Sequence, residues 1–129
     1  MGAAQARTVL LVNAAFDLGA GLLLLTGTWD GLWQLLDLPQ SKPALFVQIG
    51  GAGLWGLAYV MWRAADDPGL RPHVAFAAAL ADGLAAVVIV VWLISGRIEL
   101  STLGTVLLIV VAVVLAVFTV LKLQITRSE

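Results

Sequence analysis

Four long apolar runs, separated by short polar breaks, make up most of the chain. Residues 8–28, 44–62, 74–96 and 100–121 hold 21, 19, 23 and 22 residues, and their only charges are Asp17 in the first run and Asp82 in the third. About 20 residues at 1.5 Å per residue cross a hydrocarbon core of ~30 Å, so each run is long enough to span a bilayer as a helix. Strands of a membrane β-barrel would instead alternate apolar and polar residues over segments of ~10, and no such segment is visible. The pattern predicts an all-α integral membrane protein: one domain over residues 1–129, built as a four-transmembrane-helix bundle.

The breaks carry the chemistry that ends and starts helices. Ser41-Lys42-Pro43 places a capping residue before a proline, Asp66-Asp67-Pro68-Gly69 is a turn sequence, Pro72 suits a first helical turn, and Ser101-Thr102 can cap the fourth span. In the first break, Trp29, Leu32, Trp33 and Leu36 recur at helical spacing. This predicts a short amphipathic helix over residues 30–38 lying in the membrane interface. Trp29, Trp33, Trp62 and Trp92 fall at belt positions and are expected to anchor that interface. Trp55 lies in mid-helix, where its indole N–H needs a partner.

Composition removes whole function classes. The chain is 61% hydrophobic and 12% charged with a mean hydropathy of +1.02, against about 45–50% apolar and roughly 25% charged for soluble domains. A net charge of −1 and a pI near 5.7 offer no basic field for nucleic acid. With no cysteine and one histidine, His73, thiolate metal sites and a Ser/His/Asp set are ruled out. No enzyme and no cofactor are expected. The first run is too long for a signal peptide and lacks a cleavage site after it, so it is expected to stay as a span. Arg7, Arg63, Arg71, Lys122 and Arg127 collect on one side of the spans, and Lys42 and Arg97 on the other. Both termini are therefore expected in the cytoplasm, in a multi-pass protein of the inner (plasma) membrane.

Asp17 and Asp82 need the most explanation, because a carboxylate in mid-membrane is costly and faces the interior or water. Asp17 lies ten residues beyond Arg7 and Asp82 eleven beyond Arg71. In helices running the same way, both sit roughly 15 Å deep, which predicts a midplane pair. Burial penalises charge and neighbouring carboxylates cannot both ionise, so one shared proton is expected. Asn13 lies one turn from Asp17, and the second span adds Gln48 and Tyr59 as a polar trail. The fourth span has nothing polar between Val106 and Phe118 and reads as a lipid-facing wall.

The second span is dense in small residues, and Gly50, Ala52, Gly53 and Gly56 are expected at a close helix contact. Together with Asp17-Leu18-Gly19-Ala20-Gly21, Leu38-Pro39, Gly56-Leu57-Ala58-Tyr59 and Asp66-Asp67-Pro68, these features resemble the small bacterial four-helix membrane proteins called DoxX-like. The resemblance implies an architecture and no activity. Size and helix count are also similar to the small multidrug-resistance exporters. Their acid is a glutamate, however, and none of their functional residues is carried over. Three functions fit the residues. The first is a non-catalytic accessory or scaffold bundle, acting within a membrane assembly or as a homo-oligomer in the lipid bilayer. The second is a proton-coupled transporter of a small solute that uses Asp17 and Asp82. The third is a bundle that binds a lipid or quinone.

Overall fold

The computed structural model describes residues 1–42 and 44–128. Its elements are α1 (Ala3–Leu25), α2 (Asp30–Leu36), α3 (Leu45–Ala65), α4 (Arg71–Ser95) and α5 (Thr102–Ser128), and the described residues contain no strand. The four long helices are each long and apolar enough to cross a membrane. Pro72 opens α4 as its sequence predicts, and Gly96, with φ +67°, ends it in the left-handed conformation that glycine adopts without strain. Ser101 caps α5, its hydroxyl accepting the Gly104 N–H at 3.3 Å. The proline expected to open α3, Pro43, lies outside the described residues.

α5 departs most from expectation. It runs to Ser128, about two turns past the apolar run, and carries Lys122 into the interior at 0% exposure. Lys122 therefore does not stand among the exposed basic residues at that end of the chain, and Arg71, 5% exposed, is buried as well. Nor is α5 only a lipid-facing wall. Gly104, Ala112, Leu115, Phe118, Lys122 and Ile125 form a buried stripe along it.

α1 packs antiparallel on α3 and α4 on α5, and smaller contacts join α3 to α4 and α1 to α5. At the end carrying the chain termini, all four helices contribute to one buried cluster, with Leu10, Met61, Ala64, Ala75, Ala78 and Ile125 at its centre. Arg7 and Asp66 pair across this rim at 2.6 Å, both largely exposed. Asp67 accepts the Gly69 and Leu70 N–H groups and so holds the α3–α4 turn.

Toward the other end α1 and α3 approach at Gly21 and Gly51. A Cβ at Gly21 would lie 2.6 Å from the Trp55 ring and 2.8 Å from the Gly51 carbonyl oxygen; one at Gly51 would lie 2.7 Å from the Gly21 carbonyl oxygen. This corrects the expected packing face. Gly53 and Gly56 have nothing within 4 Å of a built Cβ, Gly50 only a Leu24 methyl at 3.9 Å, and Ala52 is exposed. A small-residue stripe occupies one side of a helix, and here the side at Gly51, a single position, meets α1. Trp55 donates its indole N–H to the Leu18 carbonyl oxygen at 3.0 Å across the same contact, the partner its mid-helix position calls for. Trp55→Phe removes that bond and is expected to lower stability by about 0.5–1.5 kcal/mol, read from denaturant unfolding in mild detergent.

α2 is one residue pair shorter than predicted. Asp37 stops it in the left-handed region at φ 51°, a conformation aspartate tolerates better than most residues. The Asp37 carboxylate then accepts the Ser101 N–H at 3.1 Å, tying α2 to the start of α5. Gln40 donates to the Gly27 carbonyl and to Asp30, closing the loop around α2.

Candidate functional site

A polar layer crosses the interior where α1, α4 and α5 meet. α1 supplies Asn13 and Asp17, one turn apart on the same face, and α4 supplies Asp82. They are buried at 0%, 1% and 3% exposure. α5 supplies Lys122, whose ammonium hydrogen-bonds and ion-pairs with Asp82 and lies 5.9 Å from the centre of the Phe118 ring, within cation–π range. Phe118 in turn packs on Phe16 of α1 at 5.7 Å. Asp17 is close enough to Asp82 and Lys122 to feel both charges. The depth arithmetic thus brings the two aspartates into one layer. It misses the lysine, Lys122, with which Asp82 pairs.

Asp17 is the incompletely bonded member. Its Oδ1 accepts the Asn13 amide N–H at 3.3 Å, while Asp17 Oδ2 and Asn13 Oδ1 have no hydrogen-bond partner among the described residues. The layer thus sets two carboxyl groups against one ammonium, which pairs with Asp82.

Above this layer, on the α2 side, lies a cavity of about 820 Å³. Phe16, Ala20 and Leu24 of α1, Ala85 and Ile89 of α4, and Leu108, Val111 and Leu115 of α5 line its walls, and among the described residues Asp17 and Asp82 are the only ionisable side chains that reach it. Trp33, Leu36, Leu38 and Pro39 line its upper end. Trp33 is 5% exposed and donates its indole N–H to the Thr26 carbonyl oxygen at 3.1 Å, so it is a wall of the cavity and not a surface anchor. Trp29, Trp62 and Trp92 are exposed, at the outer surface of the helices. Below the polar layer lies the buried Leu10–Met61–Ile125 cluster. Asp17 and Asp82 thus meet the cavity on one side and this cluster on the other.

The rest of the predicted polar trail lies elsewhere. Tyr59 is 60% exposed on α3 beside Trp62, and Gln48 donates to the Leu25 carbonyl oxygen at 3.2 Å, pinning the end of α1. Neither joins the acids, because the α1-facing side of α3 is set by Gly51, Ala58 and Met61. No group of three or more His, Cys, Asp or Glu residues among those described could hold a metal ion. Comparison of the chain with protein-family models, with curated proteins and with solved structures finds no match.

Proposed function

We propose that this small integral membrane protein is a non-catalytic binding bundle: four helices span the plasma membrane, α2 lies at the outer interface, both termini are cytoplasmic, and an apolar small molecule occupies the cavity. The architecture of DoxX-like proteins, which its motifs resemble, is compatible with this reading. The observation that carries the proposal is the cavity itself, an apolar chamber with two carboxylates at its floor. Ligand pockets combine mostly apolar walls with a few polar groups that fix orientation, and a volume of about 820 Å³ falls in the usual range. Proton-coupled transport fits less well, because a buried apolar cluster stands between the acids and the end that carries the termini.

Equilibrium binding of a fluorescent long-chain alcohol to the purified protein in nanodiscs tests the proposal. One saturable site is expected. Leu108→Trp, which fills the cavity, should weaken binding about tenfold or more. Ile109→Trp, on the exposed neighbouring position, should leave binding unchanged. Equal binding by both variants would overturn the reading.

A second reading, an accessory bundle that associates with its own copies or with foreign subunits, is favoured by one observation. Ala52, Gly53, Gly56 and Tyr59 all lie exposed on α3, and small residues let membrane helices approach closely. If this holds, Gly53→Leu reduces the size of the detergent-extracted particle.

A further inference from the structure

We infer that the ligand is a lipophilic primary amine, its ammonium head seated on Asp17 and its alkyl body in the cavity. This rests on the binding reading above and adds the chemistry of the head group. Asp17 lines the cavity and its Oδ2 has no hydrogen-bond partner among the described residues, so a head group that donates a hydrogen bond suits it. A quinone carbonyl, itself an acceptor, would leave the ionised carboxylate unpaired. Lys122 does not fill the role: its ammonium bonds Asp82 and makes no hydrogen bond to Asp17. Charge selects further among donors. Lys122 pairs with Asp82, so Asp17 is the carboxyl without a cation, and so deeply buried a carboxyl stays ionised only when a cation pairs with it. A monovalent ammonium supplies both the missing positive charge and the N–H groups. A quaternary ammonium supplies the charge alone, and an alcohol a donor alone. Asp17 lies in the cavity floor, so a head group reaching it leaves the chain of the ligand among Ala20, Leu24, Leu108 and Val111.

Binding of dodecylamine, dodecyltrimethylammonium and dodecanol to the full chain in nanodiscs provides the test, with Asp17→Asn beside the unaltered protein. The amine is expected to bind about tenfold or more tightly than either of the others, because it alone brings both a positive charge and N–H donors to the Asp17 carboxylate. Asp17→Asn is expected to remove that preference while the alcohol still binds, which also shows that the variant is folded. Equal affinity for amine and alcohol, or a preference that survives Asp17→Asn, would overturn the head-group assignment and leave the cavity reading standing. Failure of all three compounds to bind saturably would overturn both.

Discussion

Lys122→Leu is expected to destabilise the protein by about 3–5 kcal/mol, the usual cost of removing one partner from a buried ion pair. Lys122 is fully buried and pairs with Asp82, itself 3% exposed. Its loss leaves two carboxylates, Asp17 and Asp82, and no cation in one water-excluding layer. The cost comes from the stranded charge and not from the missing attraction, so the double variant Asp82→Leu/Lys122→Leu should regain most of the loss. An apolar replacement of a whole buried pair is often neutral or stabilising. Asp82→Leu alone should also be destabilising, by stranding the ammonium. Denaturant unfolding in mild detergent, followed by far-ultraviolet circular dichroism, reads all three. Additive effects of the two single changes would show that the residues do not interact.

The second large effect is expected at the α1–α3 contact. Gly51→Val places methyl groups where a Cβ alone already lies 2.7 Å from the Gly21 carbonyl oxygen and 3.0 Å from the Leu25 nitrogen. Both are backbone atoms, so the helices must separate. Trp55 then loses its bond to Leu18, and Gln48 its bond to Leu25. Overpacking typically costs about 1–3 kcal/mol, and the attached hydrogen bonds place this change at the upper end or beyond. Gly53→Val and Gly56→Val, two and five residues along the same helix, should change stability by about 0.5 kcal/mol or less, because open space surrounds both. Thermal unfolding midpoints of the three variants check the contrast, and equal losses at Gly51 and Gly56 would contradict it.

These two contacts also mark the boundary of what can be read in the sequence. The spans were legible because a helix that crosses a bilayer needs length and apolarity, both of them local properties. The level of Asp17 and Asp82 was legible because helix rise converts position into depth. Lys122 was not. It stands just after an unbroken apolar run, where a lysine ordinarily reaches the interface, and only the continuation of α5 by two turns brings it inside. One trace was present: Leu115, Phe118, Lys122 and Ile125 are spaced three or four apart, which places the lysine on the buried face. The choice of Gly51 over Gly53 and Gly56 depends on which side of α3 meets α1. A run of glycines looks the same from every side, and only tertiary packing breaks the tie. Trp33 illustrates the opposite error, since tryptophan near a span end suits both an interface belt and a buried wall. Its hydrogen bond to Thr26, seven residues back, depends on how the turn between α1 and α2 folds, which spacing alone does not encode.

The cavity and its lining by Trp33 are tested most directly by fluorescence quenching with a 12-bromododecylamine. Two chains serve: one keeps only Trp33, and the other keeps only Trp29, every other tryptophan being replaced by phenylalanine. Trp33 lines the cavity, whereas Trp29 is 61% exposed outside it. If the ligand occupies the cavity, quenching of Trp33 saturates at one ligand per chain and quenching of Trp29 only follows the amount dissolved in the lipid. If both tryptophans are quenched in proportion to the bilayer concentration alone, no ligand enters the cavity and the account fails.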